Sequence, residues 1–185
     1  MGIIEREKSE MGCRKIEGII WSHPALEGPF GIYKPKSRAK LAGIRYENNL
    51  AKKLQDWNHA QWWHFCDQNG EGWCQTDFWK DFGDWVGVIE CKYTYTEEAW
   101  KQIFGLYKPV LEKWSRKEVF GVQVCKTLTR ETPEEALAWR LDKAFSGRKS
   151  VVCWDGKSPL CPPLRDFGPE AQKSLPKERI LVPEC

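Results

Sequence analysis

The run at residues 85–95, Trp-Val-Gly-Val-Ile-Glu-Cys-Lys-Tyr-Thr-Tyr, constrains this chain more than any other segment. It is rich in β-branched and aromatic residues, which suit a pleated strand. Side chains alternate along a strand, so Val86, Val88, Glu90 and Lys92 share one face, and Ile89, Cys91 and Tyr93 share the other. A carboxylate and an ammonium therefore continue an otherwise apolar row. Burying them is unfavourable unless they are paired or bound to something. Glu90 and Lys92 are thus either a structural ion pair on one strand face or part of a site.

Two further strand-like segments come before this one, at residues 62–66 and 73–78. The first ends in Asp67-Gln-Asn-Gly, a strong turn signal, and residues 80–84 read as a hairpin connection. Such a hairpin lets Asp77, near the end of its strand, approach Glu90. Two carboxylates held close repel, and that favours a divalent cation between them. Oxygen ligands suit magnesium or manganese rather than zinc. Asp84 competes for the role, but its place in the turn reads as a solvated loop residue. Upstream, Ser37 is an N-cap for a helix over residues 38–57, with Leu41, Ile44, Leu50, Ala51 and Leu54 at helical spacing. Glu47 falls between Ile44 and Leu50, so it faces inward with the apolar stripe. A helix needing only solubility would place it on the other side. It is a site candidate, with a structural pair to a lysine at the core edge as the alternative.

The rest of the chain completes an α/β pattern. A short strand is expected around residues 16–21. Thr96 caps a second helix, with Glu97 and Glu98 in its first turn and Trp100, Ile103, Phe104 and Tyr107 on one side; Pro109 is placed to kink it. Residues 119–127 read as a strand, residues 133–145 as a helix capped by Thr132 with Pro133 at its first position, and residues 150–155 as a last strand. The order predicts a mixed sheet flanked by helices. Residues 1–36 form an N-terminal extension, 37–155 the core, and 156–185 a proline-rich tail.

Charge is unevenly spread. Residues 1–60 carry 11 Lys/Arg against 7 Asp/Glu, residues 61–95 carry 2 against 6, and residues 96–185 carry 16 against 13. Carboxylates at the chemistry with cations along a phosphate track would look like this; so would ordinary surface variation. The eight cysteines are scattered singly, and no C-x-x-C pair occurs. Free buried thiols in an intracellular protein are the expectation. A zinc-binding interaction module using His64, Cys66, Cys74 and Cys91 fits the usual ligand spacing poorly. Eleven tryptophans are mostly core, with one or two as stacking platforms for bases. No apolar run reaches a membrane span of about 18 residues, and the charged N-terminus lacks a secretory pattern, so a cytoplasmic location is expected.

Gly43-Ile-Arg-Tyr-Glu47 on a helix, Gln75-Thr-Asp77 on a strand and Val88-Ile-Glu90-Cys-Lys92 on the next together resemble the PD-(D/E)XK nuclease superfamily. That group includes restriction enzymes, Holliday junction resolvases and phage recombination exonucleases. Thr76 stands where the superfamily's name has proline. The resemblance covers half of the chain and implies a restriction-endonuclease-like αβββαβ core. It implies that Asp77, Glu90 and the Cys91 carbonyl bind Mg²⁺ or Mn²⁺, that Lys92 positions or activates the attacking water, and that Glu47 binds a second metal or a metal-bound water. Gln102 and Tyr107 resemble the Gln and Tyr that recombination-type exonucleases carry on the following helix, at a spacing one residue longer than usual. The implied activity is metal-dependent DNA hydrolysis in recombination, repair or phage DNA processing, with DNA as partner and a homo-oligomer compatible with it. The competing reading within the same fold is a catalytically inactive DNA-binding protein.

Overall fold

The computed structural model describes residues 14–23, 37–134, 137–138, 144–145 and 149–156. Six strands form one mixed sheet in sequence order: β1 (Ile16–His23), β2 (Asn58–Asp67), β3 (Gly70–Asp81), β4 (Trp85–Thr94), β5 (Glu118–Thr127) and β6 (Ser150–Cys153). The pairs β1–β2, β2–β3 and β3–β4 are antiparallel, while β4–β5 and β5–β6 are parallel. Tight turns join the antiparallel pairs β2–β3 and β3–β4, whereas the parallel pair β4–β5 needs a crossover, which is helical.

The turns are set by local chemistry. Asp67 Oδ1 accepts from the Asn69 amide at 2.8 Å, and Gly70 takes a φ of 107°. Asp81 Oδ1 likewise accepts from Gly83, whose φ is 91°. Both glycines occupy the left-handed region that other residues avoid.

Helix α1 (Arg38–Ala51) begins as expected, with Ser37 Oγ accepting from the Lys40 amide at 3.2 Å. It ends at Ala51 rather than at residue 57, because residues 52–57 wind into turns that still bury Leu54 and Trp57. Its buried residues are Tyr46 and Leu50; Leu41 is exposed. The crossover from β4 to β5 is three helical pieces: α2 (Glu98–Gln102), a π-helical turn at Ile103–Tyr107 and α3 (Lys108–Ser115). Pro109 explains the irregularity. It has no N–H for the Gly105 carbonyl four residues back, and that carbonyl instead accepts from the Arg14 amide at 3.4 Å.

Each sheet face has its own core. On one, Trp63, Phe65, Cys74, Val86, Val88 and Val119 pack under Trp100, Ile103, Tyr107, Val110 and Leu111 of the crossover. On the other, Phe78, Ile89, Val122 and Val124 pack under Tyr46 and Leu50 of α1, with Trp57, Phe145 and Trp154. Most tryptophans are therefore core. The expected helix at residues 133–145 does not hold at Leu137 and Ala138, although Ala144 is helical. Leu137 makes a parallel bridge to Val151, and the Ala138 amide donates to the Val151 carbonyl at 2.8 Å. The chain here satisfies the outer edge of β6 instead of coiling. Residues 135–136 and 139–143 lie outside the described residues, as does the tail from 157. No helix among the described residues is long and apolar enough to cross a membrane.

Candidate functional site

The β3–β4 ladder pairs Phe78–Asp81 with Val86–Ile89 and stops there. Asp77 and Glu90 are the next residues on each strand, so they stand where the two strands part. Asp77 no longer uses its backbone to reach β4. Its carboxylate does so, with Oδ2 accepting from the Cys91 amide at 2.7 Å.

The side-chain alternation of β3 slips at this point. Cys74 and Thr76 face the crossover side, where the Trp63 indole donates to Thr76 Oγ1 at 3.1 Å, whereas Phe78 faces the α1 side. Opposite Asp77, between the pairs His59–Phe78 and Gln61–Thr76, Ala60 has a φ of 54°. A left-handed alanine inside a strand is strained by roughly 1–2 kcal/mol. The slip turns Asp77 toward the cleft.

That cleft, of about 580 Å³, is lined by Ala39, Lys40, Gly43, Ile44 and Glu47 of α1 and by Asp77, Cys91, Lys92 and Tyr93. Glu47 faces it, as its helical position predicts, but its partner is no lysine. His59 Nε2 lies 2.8 Å from Glu47 Oε1, and the imidazole stacks on Phe78 with centroids 4.6 Å apart. Glu90 is 1% exposed and sealed beneath the cleft wall. The Lys92 ammonium donates to its Oε1, while Oε2 is buried with no hydrogen-bond partner among the described residues.

The electrostatics follow from crowding. Burial pushes the Asp77 carboxyl well above the usual carboxylate range, and Glu90 and Glu47 push it further; the Cys91 amide and Lys92 pull the other way. Burial also raises Glu90, against the opposing pull of Lys92 and of the Tyr107 hydroxyl. Burial by itself would lower the Lys92 ammonium, but Glu90 and Asp77 outweigh it and hold it above its ordinary value. The arrangement is two carboxylates that resist joint ionisation beside one firmly charged lysine.

Of the two residues expected on the following helix, Tyr107 reaches the site: it is buried, and its hydroxyl helps keep Glu90 charged. Gln102 closes α2, half-buried, one turn before it. A π turn lies between them. Its Lys108 amide donates to the Ile103 carbonyl five residues back rather than four. Asp84 is exposed in its turn.

Three residues near the site carry no sequence motif. His59 pairs with Glu47. Gln123 is fully buried and in register with Glu90 across β4–β5; its Nε2 donates to the Thr96 carbonyl at 3.2 Å and its Oε1 has no partner among the described residues. Lys126 sits over Tyr93. Only the alternation of β5 could have pointed to the last two.

Among the described residues, no group of three or more His, Cys, Asp or Glu side chains is drawn together for a metal ion. The thiols at Cys66, Cys74, Cys91, Cys125 and Cys153 are free. His64 stacks on Trp73 and pairs with Glu71, while Cys74 lies buried beside Trp63 on the opposite sheet face. Strand alternation thus separates the ligands a zinc module would need. Comparison with protein-family models, with curated proteins and with solved structures finds no match to this chain.

Proposed function

We propose that this protein is a divalent-metal-dependent nuclease of the PD-(D/E)XK type that hydrolyses DNA phosphodiester bonds. The observation that carries the reading is the crowding of Asp77 and Glu90 where β3 and β4 part, with Lys92 tied to Glu90 and Glu47 across the cleft. The element order from α1 through β5, helix, three strands, helical crossover and strand, supports the same reading.

The residues present suit a hard cation. Among the described residues the buried Oε2 of Glu90 lacks a hydrogen-bond partner, and Asp77 is pushed toward protonation by burial and further by its like-charged neighbours Glu90 and Glu47. A positive ion would relieve both. Asp77, Glu90 and the Cys91 carbonyl would hold Mg²⁺ or Mn²⁺, with Glu47 toward a second ion or an ion-bound water. When bound, such an ion stabilises charge on the attacking and leaving oxygens.

The chain's own groups do the rest. The Cys91 amide fixes the Asp77 carboxylate. Lys92, 29% exposed on its side chain, presents a permanent positive charge to the cleft and offsets charge developing on the phosphoryl oxygens. His59 braces Glu47 against Phe78.

The test incubates the protein with linear duplex, circular single-stranded and four-way-junction DNA, in magnesium or manganese and in EDTA. Cleavage is expected with either metal and not with EDTA. Asp77→Asn should lower the rate by about 10²-fold or more, yet raise the melting temperature without metal, because it removes one of two repelling carboxylates. Misfolding cannot mimic that opposed pair of effects. A folded wild-type protein that cuts none of the substrates would leave a binding protein, not a nuclease.

A further inference from the structure

Tyr93 follows Lys92 on β4 and is the exposed aromatic of the cleft wall, 39% accessible. A tyrosine near a strand end usually swings; this ring is held on two sides. The Tyr46 ring meets it edge-on, centroids 6.1 Å apart and planes at 75°. The Lys126 ammonium lies 5.0 Å from its centroid and donates to its hydroxyl at 3.2 Å. Tyr46 is itself anchored, its hydroxyl donating to the Trp154 carbonyl at 2.9 Å. A pre-locked aromatic surface loses little freedom on binding a flat ligand.

Lys126 supplies the second observation. Lys92, which precedes Tyr93 on β4, is paired with a carboxylate. Lys126 has no carboxylate within ion-pair distance among the described residues, and its recorded partner is a neutral phenol. A half-buried ammonium with no counter-charge among the described residues, beside an aromatic plane on the strand next to β4, matches a phosphate next to a base.

We propose that Tyr93 and Lys126 form a nucleotide subsite for single-stranded nucleic acid, with a base stacked on Tyr93 and its phosphate on Lys126. The position of this nucleotide, next to the scissile phosphate, rests on the nuclease reading. Stacking on Tyr93 needs an unstacked base face, which single strands and frayed ends offer and an intact duplex does not. The subsite therefore selects single strands or ends.

The test measures binding of short oligothymidine and of a blunt hairpin duplex by fluorescence anisotropy in EDTA, where nothing is cut, across a salt series. Wild type should prefer the single strand. Tyr93→Leu should weaken single-strand binding by about 10- to 100-fold, and Tyr93→Phe by about threefold or less, because a stacking surface remains. Lys126→Gln, a change at the rim with little risk to folding, should weaken binding and reduce the salt slope by about one. Single-strand binding without cleavage anywhere would sink the nuclease reading and uphold the subsite. Cleavage with wild-type affinity in both Tyr93→Leu and Lys126→Gln, or an equal loss for hairpin and single strand, would overturn the subsite and leave the nuclease standing.

Discussion

Asp77 and Glu90 hold protons more tightly in the folded protein than an ordinary carboxyl does, chiefly because burial disfavours their charged forms. Their folded pKa values are raised above the unfolded ones, so the stability they contribute is fully present below the unfolded value of about 4 and is lost as pH rises through the folded values. In EDTA, the melting temperature should therefore fall between mildly acidic and mildly alkaline pH, and Asp77→Asn should flatten that fall. Magnesium should raise the melting temperature more at the alkaline end, where both carboxylates are free to bind it. Differential scanning fluorimetry over this pH range, with magnesium and with EDTA, checks both; a melting temperature rising with pH in EDTA would contradict the crowding. Glu47 is a different case. Its pair with His59 is part-exposed on both sides, so Glu47→Gln is expected to change stability by less than about 1 kcal/mol.

At the scale of elements, two irregularities place the site: the slip in β3 opposite Ala60, and the π turn between α2 and α3. A π turn holds one residue more than the regular helix it interrupts. Deleting Gly105 should remove the extra residue of the π turn, with the bond Pro109 cannot make still missing, and leave Val110 and Leu111 on the core, at a loss no greater than about 3 kcal/mol. Inserting one alanine at the same place should turn α3 by about 100° and swing those residues off the sheet. Urea melts followed by circular dichroism should show the deletion folded and the insertion far less stable; equal damage from both would mean that the π turn absorbs nothing. Neither irregularity is written in the local sequence. Pro109 signals a kink, but only the packing of Arg14 against the freed Gly105 carbonyl decides which kind. Nothing around Ala60 favours a positive φ.

The whole molecule depends on β1 more than its place ahead of the core would suggest. Ile16 belongs to the crossover-side core, and Arg14 pairs with the buried Asp67 at 3.1 Å. A chain beginning at Ser37 should lose both and unfold at lower urea, by about 3 kcal/mol or more; an unchanged midpoint would show β1 to be dispensable. Much of this fold was legible beforehand. Glu90 and Lys92 on one strand, the turn at Asp67-Gln-Asn-Gly, the cap at Ser37 and the inward lean of Glu47 are local facts, fixed by alternation, by turn chemistry and by helical period over a few residues. So the sequence by itself determined an α/β chain with its charged groups gathered on neighbouring strands. What only the tertiary structure decided was contact between residues far apart in the chain: His59 rather than a lysine against Glu47, Gln123 in register with Glu90, Lys126 over Tyr93, and Leu137 bridging to Val151 where a helix was expected. These depend on which strands neighbour one another and in what register, and register is set by how the two cores close around the sheet, not by any pattern within a single segment.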